Sequence, residues 1–316
     1  MRILLALGGN ALLRRGERAS APNQRRNVEA AARAIAELAD HHELILTHGN
    51  GPQVGLLALQ SESFPDVPPY PLDVLDAEGE GMVGHLLELG LRNALPDRDV
   101  VTVLTEVVVD VDDPAFGKPT KPIGPVYSEE EAQRLRLDRG WTLGRDGDGY
   151  RRLVASPEPR AVPEIRSLRT LVKAGTLVIC AGGGGIPVTI DGLGTMRGVE
   201  AVVDKDLTAS LLARRLDADL MLLLTDVDAV QAGWGGPHQR PIAGASPAEL
   251  QEMDFAAGSM APKVEAACRF AEATGRRAAI GALTDAARVA LGEAGTQVLA
   301  PGGEPAIAAA RRLPRR

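Results

Sequence analysis

Lysine is scarce in this chain. Its 316 residues include five lysines, Lys118, Lys121, Lys173, Lys205 and Lys263, against thirty arginines. The two cations are interchangeable as surface charge but not at a specific site. A chain that writes its surface cations as Arg leaves few lysines to explain. Cysteine is scarcer still. Cys180 and Cys268 lie far apart and form no CxxC pair, which excludes a disulfide framework and a zinc ribbon. Both read as small buried hydrophobes. The histidines His41, His42, His48, His85 and His238 show no metal-ligand spacing. No apolar run approaches the roughly 18 residues of a membrane helix. The run Ile3 to Leu7 is too short for a signal peptide. With a net charge of −7 there is no basic stripe for nucleic acid. The expectation is a cytoplasmic protein with neither a nucleic-acid nor a membrane partner.

A hydrophobic fraction of 45% is ample for a core. Short apolar runs at Ile3 to Leu7, Glu43 to Thr47, Thr176 to Ala181 and Asp219 to Leu224 read as buried parallel strands. Val100 to Val109 reads as a further strand. Helical periods cover 23–40, 52–61, 72–95, 164–173, 204–216, 247–253, 260–274 and 285–292, with Gly79 and Gly81 expected to interrupt the third. Strands alternating with helices predict a mostly parallel sheet with helices on both faces, an α/β/α sandwich. Residues 111–162 break this rhythm with clustered prolines and glycines, and Arg145 to Tyr150 reads as a hairpin turn. This stretch is expected to be a small protruding subdomain, between an N-terminal lobe (1–110) and a C-terminal lobe (163–316) of one domain.

Four loops follow the carboxyl ends of the predicted strands: Gly8-Gly9-Asn10, Gly49-Asn50-Gly51, Gly182-Gly183-Gly184-Gly185, and Thr225 to Asp228. Ligands of open parallel sheets bind at that edge. Glycines let backbone N–H groups approach an anion. The usual nucleotide fingerprints are missing. Pro187 occupies the third Gly position of a dinucleotide pattern, and Gly117-Lys118 lacks the upstream Gly of a P-loop. There is no Gly-x-Ser-x-Gly elbow and no His-Glu-x-x-His.

The lysines then become informative. Lys173 ends an amphipathic helix and suits its dipole there. Lys205 lies between Asp204 and Asp206 at a helix start, where a cation is disfavoured without an anion nearby. Lys263 follows Pro262, again early in a helix. Lys118 and Lys121 sit in a proline-stiffened segment, which reads either as a loop delivering a point charge to a cleft or as a plain exposed turn. Glycine loops, point-charge lysines and an Asp among them suggest phosphoryl transfer, which depends on positioning and charge neutralisation.

Seven motifs resemble the carbamate kinases of the amino-acid-kinase superfamily along nearly the whole chain. They are Ala6-Leu-Gly-Gly-Asn-Ala-Leu12, Thr47-His-Gly-Asn-Gly-Pro-Gln-Val-Gly55, Pro119-Thr-Lys-Pro-Ile-Gly-Pro125, Gly182-Gly-Gly-Gly-Ile-Pro-Val188, Glu200-Ala-Val-Val-Asp-Lys-Asp206, Leu224-Thr-Asp-Val-Asp228 and Gly258-Ser-Met-Ala-Pro-Lys263. Other superfamily members carry a Lys before the first Gly pair; here Leu5-Ala6-Leu7 has none, and Lys121 matches the substitute on the protruding subdomain. The segment Asp76-Ala-Glu-Gly-Glu-Gly81 is more acidic than the usual family pattern.

The resemblance implies reversible transfer between ATP and carbamate, giving ADP and carbamoyl phosphate, with Mg²⁺ held mainly by the nucleotide phosphates. It implies catalytic roles for Gly9, Asn10, Lys121, Asp204, Lys205 and Lys263, with Asp204 organising the last two lysines. It implies acceptor contacts from Gly8, Gly49, Asn50, Gly51 and Lys118. Gly182 to Gly185, Asp206, Thr225, Asp226, Met260 and Pro262 would lie by the nucleotide. A homodimer is implied as well. Two rivals stand beside this: a kinase of an acylated amino-acid carboxylate, and a non-catalytic nucleotide-binding regulator on the same fold.

Overall fold

A computed structural model describes residues 1–13, 17, 20–64, 66–256 and 259–300, with backbone only at positions 10 and 11. Its centre is an eight-stranded sheet. The strands run in the order Gly244–Ala245, Thr296–Val298, Arg277–Ala282, Leu220–Thr225, Arg2–Leu7, Glu43–His48, Leu177–Cys180 and Val100–Val103. From Arg277–Ala282 onward every pairing is parallel. Thr296–Val298 pairs antiparallel and reverses the edge.

The central strands are buried along almost their whole length, as unbroken apolar runs demand. Alternate residues then serve opposite faces. Leu4, Ala6, Ile45, Met221 and Leu223 pack with the helices Ile165–Lys173, Lys205–Arg215 and Met260–Thr274. Ile3, Leu5, Leu7, Leu44 and Leu222 pack with Ala21–Ala39, Leu72–Ala94 and Ala286–Leu291. This period of two, with helices above and below, is the expected three-layer sandwich.

Three local readings are corrected. The helix Leu72–Ala94 runs without interruption. Gly79 does not break it, because a Cβ there would lie 2.9 Å from Asn50 Nδ2; the glycine is a site of close approach. The single strand expected over 100–109 is two, Val100–Val103 in the main sheet and Glu106–Val108 in a separate three-stranded sheet with Ile186–Ile190 and Met196–Gly198. The helix Glu129–Arg139 was not expected, although Ser128 and Glu131 close a capping box at its start.

Residues 111–162 contain an antiparallel sheet ordered Lys121–Tyr127, Gly149–Val154, Thr142–Asp146. The expected hairpin turn joins the last two, with Asp146 opposite Gly149. Ile123 and Val154 anchor this unit in a small apolar cluster with Val54, Ala58, Leu72 and Leu75. The contact is closest at Gly55, where a Cβ would fall 2.1 Å from the Gly124 Cα. Gly124 itself has φ of 73°, so neither backbone yields easily. Gly55→Ala is therefore expected to destabilise the fold by about 1–3 kcal/mol and to open 111–162 to limited proteolysis. Thermal melting and cleavage kinetics identical to those of the parent chain would contradict this packing account.

Candidate active site

The carboxyl ends of four adjacent parallel strands bring the glycine loops together. A Cβ on Gly8 would lie 3.6 Å from Thr225 Oγ1, and one on Gly49 would lie 2.9 Å from the Gly9 nitrogen. One on Gly183 would overlap the Asn50 carboxamide at 2.2 Å, and one on Gly184 would overlap the Val203 carbonyl at 2.2 Å. The loops interlock in sequence around one point. The side chain of Asn10 lies outside the described residues, as does Gly258.

The amides of Gly182 to Gly185 behave differently from the sequence reading. Gly182 N–H donates to Glu80 Oε1 at 2.8 Å, Gly184 N–H to the Ala181 carbonyl, and Gly185 N–H to the Gly182 carbonyl. These three donors are committed inside the protein, so they form no phosphate cradle. The glycines are required instead by positive φ at Gly183, Gly184 and Gly185 and by close packing. Gly8 and Gly49 N–H groups likewise continue the sheet, donating to Leu224 and Leu7. The amides left facing the edge belong to the starts of the helices Gly9–Leu12 and Gly51–Ser63, where first-turn N–H groups lack intrahelical acceptors.

The helix Lys205–Arg215 opens into the same region and collects the charge. Asp204 is its N-cap, accepting from the Asp206 and Leu207 N–H groups through Oδ1. Its other oxygen accepts from Lys121 Nζ at 2.6 Å, a lysine brought 83 residues along the chain by the subdomain. Asp206, one turn position further in, is 3% exposed and pairs with both Lys205 and Lys263. Lys263 Nζ lies 3.0 Å from Asp206 Oδ2. Asp206, not Asp204, therefore organises Lys205 and Lys263. The capping geometry explains the exchange: Asp204 turns to the helix amides, while Asp206 turns to the two lysines. Burial pushes the Asp206 carboxyl up, but Lys205 and Lys263 together hold it well below the usual carboxylate range. Burial lowers the Lys205 ammonium against the pull of Asp206, and Lys263 adds to the lowering.

Lys118 is exposed on the subdomain and Lys173 on its helix. Thr225 caps the edge at the end of Leu220–Thr225, its hydroxyl donating to Asp226 at 3.0 Å. Met260 and Pro262 are half-buried at the start of the helix that carries Lys263. Among the described residues, no three His, Cys, Asp or Glu side chains converge as a cation site. No helix among them is long and apolar enough to cross a membrane.

Three features of this region escaped the sequence reading. Thr47, Thr105 and Thr208 fasten the glycine turn through the Ala181 carbonyl, the Ala181 N–H and the Gly184 carbonyl. Asp76 and Glu80 are 2% and 1% exposed on the helix Leu72–Ala94. Their signal was present: two acids four apart on the stripe that also holds Leu72, Val83 and Leu87. His48 is fully buried, with Nδ1 facing the Gly49 carbonyl. Burial lowers its pKa to about 4, and the Lys205 charge contributes.

This geometry defines a class. The chain belongs to the amino acid kinase family, whose sequence model matches residues 1–282. Within that family it falls among the carbamate kinases. It is 53% identical over 299 residues to the carbamate kinase of Haemophilus influenzae, covering 94% of this chain and 96% of the relative. It is 43% identical to that of Pyrococcus horikoshii, over 94% of this chain and 98% of the relative. The structure of the carbamate kinase from Giardia lamblia bound to AMP-PNP superposes with a TM-score of 0.87 at 38% identity, over 95% of this chain and 98% of that one.

His48 makes a pH prediction. Its folded pKa lies below the unfolded value of about 6.5, so the unfolded chain binds the proton more readily and stability falls as pH drops from about 6.5 toward 4. His48→Gln removes this one contribution. The stability difference between parent and variant should therefore shift by about 3 kcal/mol between pH 7 and pH 4. Parallel urea-unfolding curves of the two proteins, with a pH-independent difference, would refute it.

Proposed function

We propose that this chain is a carbamate kinase, transferring a phosphoryl group reversibly between ATP and carbamate to give ADP and carbamoyl phosphate. The observation that carries the reading is the meeting of Lys121, Lys205 and Lys263 on Asp204 and Asp206, at the sheet edge where the Gly8-Gly9 and Asn50-Gly51 loops also end. Three cations from three separate segments suit a reaction between two anions, whose repulsion must be offset. Carbamate brings its own anionic oxygen, so direct in-line attack needs no general base. The neighbouring candidates are poor ones: His48 is buried and neutral, and burial pushes the Cys180 thiol far up.

In this reading Gly9, Asn10 and Gly51 present backbone amides to carbamate and to the transferring group, with Gly8, Gly49 and Asn50 shaping the acceptor wall. Lys121 covers the acceptor from the 111–162 subdomain. Lys205 and Lys263 offset charge on the nucleotide phosphates and the transferring oxygens, held apart and aimed by Asp206. Thr225, Asp226, Met260 and Pro262 border the nucleotide. Residues 1–110 then form the acceptor side and 163–316 the nucleotide side. Mg²⁺ entering with ATP would supply neutralisation of phosphate charge; Asp204 and Asp206, the carboxylates of the lysine cluster, are already paired. The reading includes a homodimer acting in the cytoplasm.

The purified chain should form ATP from ADP, Mg²⁺ and carbamoyl phosphate. No ATP under conditions where ADP binds would remove the kinase reading and leave the regulator. Lys121→Ala should lower kcat by about a hundredfold or more with little change in nucleotide affinity, while Lys118→Ala stays mild. The reverse pattern would move the acceptor-side role to Lys118.

A further inference from the structure

Outside the lysine cluster, the most constrained polar group is Glu80. It lies one helical turn beyond Asp76 on the buried face of Leu72–Ala94. Both of its carboxyl oxygens are used. Oε1 accepts from the Gly182 N–H at 2.8 Å, and Oε2 accepts from the Thr105 N–H at 3.2 Å. These two amides sit on either side of a strained turn. Ala181, between them in the bonding pattern, adopts φ of 48°, a left-handed conformation that costs a residue with a Cβ. Its N–H is held by Thr105 Oγ1 and its carbonyl by Thr47 Oγ1. The next residues carry the turn to Gly183, which packs against the Asn50 carboxamide, and Gly184, which packs against Val203 beside Lys205. Glu80 thus ties one helix to the turn that backs both the acceptor wall and the lysine cluster.

We propose that Glu80 is a positioning residue for phosphoryl transfer: by clamping the Gly182 and Thr105 amides it sets the glycine turn against Asn50 and Lys205, and its charge state governs how well the site holds an anion. This rests on the kinase reading above. The second half follows from placement. An ionised Glu80 puts a buried negative charge behind a wall that faces anions. The groups around it do not cancel that charge. Burial pushes the Asp76 carboxyl on the same helix well up, and an ionised Glu80 adds to that. Glu164 is an acid, raised to about 8 by burial and Glu106. Cys180 is a buried thiol. His48, against the same face of Gly182, is neutral near pH 7. Lys205, beyond Gly184, is committed to Asp206. Burial raises Glu80 to about 8, against the pull of its two amide donors. Near pH 7 it is largely the neutral acid, and above pH 8 the anion.

The test uses the full chain in the ATP-forming direction, with carbamoyl phosphate and ADP as probes, from pH 6.5 to 9. The parent enzyme should lose kcat/KM for carbamoyl phosphate as pH rises through about 8. Glu80→Gln removes the titrating charge but keeps only one acceptor oxygen for the two N–H donors, so it should flatten that alkaline fall at a lowered kcat. Glu80→Leu leaves two buried N–H groups without acceptors and should lower kcat by about tenfold or more, with the KM for ADP nearly unchanged. Glu80→Gln, with one acceptor oxygen left, should recover part of that loss. If Glu80→Leu does not fold, the pH profile of Glu80→Gln decides alone. An alkaline fall in Glu80→Gln equal to the parent's, or a loss of kcat as large as that of Glu80→Leu, would overturn the proposal. Absence of activity in the parent chain would instead count against the kinase reading, so the two failures are distinct.

Discussion

One carboxylate holding two ammonium groups sets the electrostatics of this protein. Asp206 is almost entirely buried, and so are most of the Lys205 and Lys263 side chains, at 11% and 13% exposed. The cluster carries a surplus positive charge in a region of reduced solvent. Burying charge costs free energy unless it is paired. One carboxylate charge offsets one of the two cations, so the pairing leaves a net positive charge. The positive end of the Lys205–Arg215 helix adds to the same field. Two residues earlier, Asp204 ties the helix start to Lys121. A single turn of backbone therefore fixes three lysines that are distant in sequence, and with them the position of the subdomain over the edge of the sheet.

The glycines serve that arrangement through shape. Their number at the sheet edge suggests a cradle of N–H donors, yet most of the tetrad's amides are bonded within the protein. What the glycines permit is interpenetration: Gly49 on Gly9, Gly183 on Asn50, Gly184 on Val203, and Gly55 on Gly124. A Cβ at any of these points would push apart loops that must touch. The loops end up in close contact because they have been thinned to backbone where they meet. Threonines 47, 105 and 208 then hold the thinned segment in a conformation it would not adopt alone.

These constraints explain what was legible in the sequence. Strands such as Leu220–Thr225 were readable because a fully buried strand is a plain apolar run. The helices were readable from their stripe, and the lysines from their scarcity. Which carboxylate serves which lysine was not readable, because Asp204 and Asp206 are two residues apart and only the cap geometry separates their directions. The division of 100–109 into two strands was hidden as well. Its residues keep one composition while the chain passes from one sheet to another at Leu104 and Thr105. The helix Glu129–Arg139 has too few apolar positions to show a stripe, and its signal was the capping box.

The acids of the Leu72–Ala94 helix follow from the same logic at the opposite wall. A helix packed between a sheet and a glycine turn would be more stable with leucines at 76 and 80. Glu80 offsets part of its burial with two backbone N–H bonds. Asp76 does not: neither of its oxygens, nor Asn50 Nδ2, has a hydrogen-bond partner among the described residues. Asn50 opposes part of the upward shift of the Asp76 carboxyl. Natural sequences break local rules of this kind at sites where stability is exchanged for function. The Asp76 carboxyl sits beside Asn50 and Glu80 holds the Gly182 amide, while the cations gather at the start of the Lys205–Arg215 helix.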